Sequence, residues 1–226
     1  MGGRQRLGRG VRHPGALTFA ILIVAGYLAG SIPSGYWLVR AFKHADIRTL
    51  GSGNIGGTNV WRVYGRWYGL PVVFLDAAKG FAPALVATLV HSHLAGVLAG
   101  GAAMLGHWRP LFMGLKRGGK VVATTGGAFL GVAPVVGGIG AGVWLLVFFA
   151  TRYASLASMA AGLSLPALAA ALGYPWPVIA FAGAAAAAIV LLHRANIRRL
   201  LSGSENRATL RRRSKTRVGP SSSRAA

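Results

Sequence analysis

The stretch VVATTGGAFLGVAPVVGGIGAGVWLLVFFAT, Val121–Thr151, holds no charged residue. It is longer than the roughly 20 apolar residues that one membrane crossing needs. Gly131-Val-Ala-Pro134 near its middle supplies a turn, so the stretch folds double. Two more uncharged runs, Pro14–Val39 and Tyr153–His193, lie on either side of it, and a fourth apolar region, Trp67–Trp108, is broken only by Asp76 and Lys79. His91-Ser-His93 and Gly173-Tyr-Pro-Trp-Pro177 split two of these regions in the same way. The expected fold is all-α: a polytopic membrane helix bundle of about seven transmembrane segments, some of them short.

Composition agrees, because 54% hydrophobic and only 12% charged residues are too apolar for an ordinary soluble domain. The net charge of +22 does not indicate nucleic acid, since the basic residues sit at the ends of apolar runs and in the tails. The dividing turns contain no Lys or Arg. The alternate loops carry Lys43, Arg48, Arg62 and Arg66, then Arg109, Lys116, Arg117 and Lys120, then Arg152, then the tail from Arg194. Those loops are assigned to the cytoplasm. Seven spans put the N-terminus outside, against the preference of Arg4, Arg6, Arg9 and Arg12, and the mutually consistent downstream loops decide the orientation. The first apolar run is read as a retained span rather than a signal peptide. Residues 1–13 and 207–226 are expected to be disordered basic extensions of a membrane domain, 14–206. Small residues in Gly96–Ala103 and Ala182–Ala188 indicate close helix packing.

The chain has three carboxylates, Asp46, Asp76 and Glu205, and no cysteine. This excludes thiolate chemistry, aspartate-rich two-metal phosphotransfer and a carboxylate calcium cage. Nor is any histidine followed by an aspartate at the spacing of His-x4-Asp acyltransferases. Asp76 and Lys79, one helical turn apart inside an apolar segment, are expected to neutralise each other.

Two loops and one helix end carry candidate chemistry. In Asp46-Ile-Arg-Thr-Leu-Gly-Ser-Gly-Asn-Ile-Gly-Gly-Thr-Asn59, glycines allow amides to converge on an oxyanion. Ser52, Asn54, Thr58 and Asn59 add neutral donors, and Arg48 adds a cation. In the second loop Gly118-Gly-Lys120 precedes an apolar helix whose N-terminus, with Lys120 and Thr124, suits a phosphate. His193 and Asn196 stand one turn apart at the end of the last apolar run.

Together these segments resemble the bacterial acyl-phosphate:glycerol-3-phosphate acyltransferase family. The resemblance runs through Gly30-Ser-Ile-Pro-Ser-Gly35, the 46–59 loop, Phe74-Leu-Asp-Ala-Ala-Lys-Gly80, Leu105-Gly-His107, Gly118-Gly-Lys120 and Asn196-Ile-Arg-Arg-Leu-Leu-Ser-Gly-Ser-Glu205, covering about residues 16–206. It implies transfer of an acyl group from acyl phosphate to the 1-hydroxyl of glycerol 3-phosphate in phospholipid biosynthesis. It also implies three loops at the cytoplasmic face of the bacterial inner membrane, no metal or other cofactor, and a functional link to an acyl-phosphate-forming enzyme. The expected partners are these two substrates and membrane lipids, not nucleic acid.

By the same resemblance the catalytic candidates are His193, Asn196, Lys120 and Arg48. The substrate-binding candidates are Ser34, Gly51, Ser52, Gly53, Asn54, Thr58, Asn59, His107, Gly118, Gly119, Thr124 and Glu205. Arg48, Lys120, Ser34, His193 and Asn196 are expected to contact glycerol 3-phosphate, and Ser52, Gly53, Asn54 and neighbouring amides the phosphate of the donor. Proton transfer to His193, to water or to a substrate phosphate stays open, the resemblance favouring the substrate. The sequence departs from the family at Val121, where Lys-Gly-Gly-Lys-Gly is common, and at Gly57, where alanine is usual. The alternative function is transport of a phosphorylated solute, although no internal repeat supports it.

Overall fold

A computed structural model describes residues 15–208. The N-terminal extension, 1–13, and the tail beyond residue 208 fall outside the described residues. Arg207 and Ala208, the first residues of the expected tail, are held against the chain: Arg207 Nε donates to the Thr151 carbonyl at 3.3 Å and the Ala208 amide to the Arg152 carbonyl at 2.8 Å.

Ten α-helices and no strand occur among the described residues: α1 Ala16–Gly30, α2 Ser34–Lys43, α3 Gly57–Tyr64, α4 Arg66–Val90, α5 His93–Trp108, α6 Val122–Val132, α7 Pro134–Thr151, α8 Ala154–Ala171, α9 Trp176–Leu192 and α10 Arg194–Leu201. The expected turns all break the chain. Ser92 caps α5 by accepting from the Ala95 amide at 3.2 Å. Pro134 opens α7, where its missing N–H costs no helical hydrogen bond. Gly173, with φ of +70°, ends the passage from α8 towards α9.

The expected number of spans holds only approximately. Seven helices, α1 and α4 to α9, carry the apolar sequence. By length and composition four segments qualify as spans: Ala16–Lys43, Arg66–Val90, Pro134–Thr151 and Ala154–Ala171. Helices α9 and α10 qualify only together, bent by 58°. Helix α5 has 16 residues and α6 only 11. The first uncharged run is two helices rather than one, because Pro33 at φ −85°, ψ 70° makes a tight turn in which the Ser34 amide donates to the Ile32 carbonyl at 3.0 Å.

The bundle is built for lipid. Phe74, Leu89, Leu146 and Phe149 face outward, while alanines and glycines line the interhelical seams. Methyl groups on Gly26 or Gly30 would collide with the Ala99 and Ala103 carbonyls, so α1 and α5 touch backbone to backbone. The same holds for Gly80 and Gly127 between α4 and α6. A separate core of Val39, Ile47, Ile55, Val60, Val72 and Met113 fastens the 46–59 loop and α3 onto α2 and α4.

Candidate active site

The 46–59 loop is shaped chiefly by Asn59. Its side chain is buried, accepts the Ser52 amide at 2.8 Å, and donates to the Leu50 and Asn54 carbonyls at 3.0 and 2.8 Å. Gly51 and Gly53, at φ +59° and +69°, permit the turn that Asn59 closes. Asn54 Oδ1 accepts the Gly56 amide at 2.7 Å, and the Gly53 amide donates to the Leu50 carbonyl at 3.0 Å. Among the described residues the amides of Gly51, Asn54, Gly57 and Thr58 have no such partner, and Ser52 and Thr58 remain exposed. A Cβ on Gly35 would overlap the Ile55 carbonyl, so Ser34, buried at the start of α2, lies beside the end of this loop.

Arg48 is occupied. Its guanidinium pairs with Asp46 at 2.6 Å and stacks 4.8 Å from the Tyr36 ring centroid. The Arg48 hydrogen bond holds the Asp46 carboxyl below its ordinary value, and Asp46 in turn raises the guanidinium.

In the second loop the Gly118 and Gly119 amides donate to the Trp108 and His107 carbonyls, each at 2.9 Å. The Gly119 Cα lies against the buried His107 ring, where no side chain would fit. Lys120 follows and reaches residues distant in sequence: its ammonium donates to Asn196 Oδ1. The Asn196 amide donates to Glu205 Oε1 at 2.6 Å, and Glu205 also takes the Ser155 hydroxyl at 2.8 Å and Arg199 Nε at 2.7 Å. Burial raises the Glu205 carboxyl, but the Asn196, Ser155 and Arg199 hydrogen bonds outweigh it and the group lies below its ordinary value. Burial first, and then the Arg199 charge, push Lys120 down to about 8.

His193 stands at the bend between α9 and α10, buried, with Nδ1 2.8 Å from the Ile189 carbonyl. A carbonyl only accepts, so Nδ1 carries the proton and Nε2 keeps its lone pair. Burial and then the Lys120 charge push the imidazole down to about 4.

Sequence reading missed Arg62, Arg199 and Ser155. Arg62 Nη1 lies 3.4 Å from Asn59 Oδ1, and its guanidinium is lowered by desolvation, then held up by the field of Glu205. Each carboxylate takes its cation from close by in sequence: Asp46 from Arg48, Asp76 from Lys79 and Glu205 from Arg199. Arg62 and Lys120 thus have no carboxylate within ion-pairing distance among the described residues. Thr124, by contrast, is fully buried with an unpartnered hydroxyl. The candidates divide into two places: the Asn59-latched loop, and the Lys120, Asn196, His193 and Glu205 cluster, with Arg62 between them.

Residues 20–203 match the profile of the family described as glycerol-3-phosphate acyltransferase. A glycerol-3-phosphate acyltransferase of Desulforudis audaxviator (strain MP104C) is 42% identical over 197 residues, 87% of this chain and 99% of that protein. One of Aquifex aeolicus (strain VF5) is 44% identical over 188 residues, 82% and 97% of the two chains. The crystal structure of PlsY (YgiH), an integral membrane glycerol 3-phosphate acyltransferase, superposes in its glycerol 3-phosphate form with a TM-score of 0.81 at 41% identity, over 85% of this chain and 96% of that one. Its lysphosphatidic acid form gives 0.78 over the same shares. With a helical membrane bundle, a profile match across nearly all the described residues and relatives covered almost end to end, the chain belongs to the glycerol-3-phosphate acyltransferase family.

Proposed function

We propose that the protein, through residues 14–206, transfers the acyl group of an acyl phosphate to the 1-hydroxyl of glycerol 3-phosphate. The products are 1-acyl-glycerol 3-phosphate (lysophosphatidic acid) and inorganic phosphate, and the reaction is a step of phospholipid biosynthesis. The observation that carries this reading is the cluster around Glu205. Lys120, Arg62, Arg117 and Arg199 gather around a single carboxylate, leaving an excess of positive charge that suits a phosphate dianion.

In this reading Lys120, Arg62 and Ser34 hold glycerol 3-phosphate, while Asn196 fixes the lysine and His193 Nε2 accepts a hydrogen bond from the attacking hydroxyl. The free amides of the Gly51–Thr58 segment, with Ser52, Asn54 and Thr58, receive the phosphate of the donor. Arg48 acts through the loop, because Asp46 occupies it. The hydroxyl oxygen bonds to the acyl carbon, the bond from that carbon to the bridging oxygen breaks, and phosphate leaves with the electron pair. An imidazole at about 4 is a weaker base than a phosphate monoester with a second pKa near 6, so the proton passes to a phosphate oxygen and His193 orients the hydroxyl.

The Lys- and Arg-bearing loops support a site on the cytoplasmic face of the bacterial inner membrane, supplied by an acyl-phosphate-forming enzyme. The test is phosphate release by purified protein given palmitoyl phosphate, with and without glycerol 3-phosphate, in chelator. Release that requires glycerol 3-phosphate and survives the chelator is expected. No release from folded protein overturns the reading.

A further inference from the structure

Asp76 and Lys79 form a buried ion pair at 2.8 Å in the middle of α4, their side chains 3% and 5% exposed. Such a pair inside an apolar bundle adds little net stability, because desolvation of both charges offsets their attraction. Its partners give it another use. Lys79 Nζ donates to the Ile32 carbonyl at 2.9 Å, the same oxygen that accepts the Ser34 amide in the turn at Pro33. Asp76 Oδ1 lies 3.7 Å from His107 Nδ1, which has no hydrogen-bond partner among the described residues. The His107 carbonyl receives the Gly119 amide, and its ring is the surface on which Gly119 rests, one residue before Lys120. Gly80, the next residue of α4, lies against the Thr124 carbonyl in the first turn of α6.

We propose that Asp76, Lys79 and His107 form a positioning anchor: one turn of α4 sets both the α1–α2 break that presents Ser34 and the Gly118–Lys120 loop that presents Lys120. All three are buried, His107 among them, and act through the segments they hold. The anchor holds two segments far apart in sequence in register with each other, and charge does this where apolar contact would let the α1–α2 turn slide. The inference rests on the glycerol 3-phosphate site proposed above.

The experiment reads binding without an acyl donor, as the rise in melting temperature of the detergent-purified full chain when glycerol 3-phosphate is added. Failure of the acyl-phosphate reading therefore leaves it intact, while a wild-type protein with no rise would count against the site itself. Asp76→Asn with Lys79→Met together remove the charges but keep the volumes. The double variant is expected to keep the wild-type melting temperature without ligand and to need on the order of tenfold more glycerol 3-phosphate for half the rise. Wild-type stability with wild-type affinity overturns the proposal. Should that variant not fold, a second pair decides. Gly119→Ala, whose methyl meets the His107 ring, and His107→Ala, which removes the ring on which Gly119 rests, should each weaken binding on the order of tenfold, and the double variant little more than either alone. Wild-type binding by either single variant sinks the anchor.

Discussion

Lys120 and Asn196, 76 positions apart, are joined by a hydrogen bond from the lysine ammonium to the asparagine side-chain oxygen. The bond fastens the glycine-lysine loop to α10, and through the Asn196 amide it continues to Glu205. Lys120→Met should therefore remove a phosphate contact and also free Asn196. A charge-assisted hydrogen bond contributes about 1.5–3 kcal/mol, so kcat/KM for glycerol 3-phosphate is expected to fall roughly tenfold to a hundredfold. Steady-state phosphate release against glycerol 3-phosphate concentration measures it, and an unchanged ratio would remove Lys120 from the site.

Arg48 and Arg62 should behave differently. Arg62 has no carboxylate partner among the described residues, whereas Arg48 is paired with Asp46. Arg62→Ala is expected to raise the half-saturating glycerol 3-phosphate concentration at least tenfold, by loss of a charge-assisted contact of about 1.5–3 kcal/mol. Arg48→Ala should cost less and act through the loop. A larger effect at Arg48 would reverse the assignment.

Binding should fade on the alkaline side. Lys120 sits at about 8 instead of its ordinary 10.5, so the empty site loses its ammonium as pH rises through 8. The half-saturating glycerol 3-phosphate concentration should climb there, and Lys120→Met should show no such inflection. For stability the sign is opposite. Between pH 8 and 10.5 the unfolded chain keeps a proton that the folded chain has shed, so this group's contribution to stability rises with pH across that window.

Val121 has φ of +58°, a left-handed conformation that a β-branched residue adopts at a cost of about 1–3 kcal/mol. Glycine would relieve that cost while losing a buried side chain. Val121→Gly is therefore expected to shift the melting temperature little. Val97→Gly, from the same hydrophobic cluster but inside a regular helix, should lower it clearly. Equal losses at the two positions would contradict the strain at Val121.

The breaks between α4 and α5, α6 and α7, and α8 and α9 were legible because proline, glycine and a capping serine act locally. The division of the first apolar run is missed when the uncharged stretch Pro14–Val39 is read as one span, although Gly30-Ser-Ile-Pro-Ser-Gly35 carries turn residues. Helices α3 and α10 escaped because short amphipathic turns at a membrane surface owe their stability to packing on the bundle. Of the candidate site, Lys120, His193 and Asn196 are picked out by the family resemblance, with their residue type and spacing beside it. Arg62 resembled an ordinary positive-inside charge, and only the folded chain brings it near Glu205. Asn59, expected among the anion's donors, instead spends its side chain on the loop.

Helix α6 has 11 residues and its neighbour α7 has 18. At about 1.5 Å per residue these rise roughly 17 and 27 Å, against a hydrocarbon core about 30 Å thick. If α7 crosses nearly the whole core from their shared turn at Ala133, α6 stops a dozen or so ångströms short. The glycine-lysine loop then lies in a dimple below the headgroup plane. A soluble phosphate ester would descend to meet a lipid whose chain never leaves the bilayer, so membrane thickness itself becomes a determinant of how the two substrates meet.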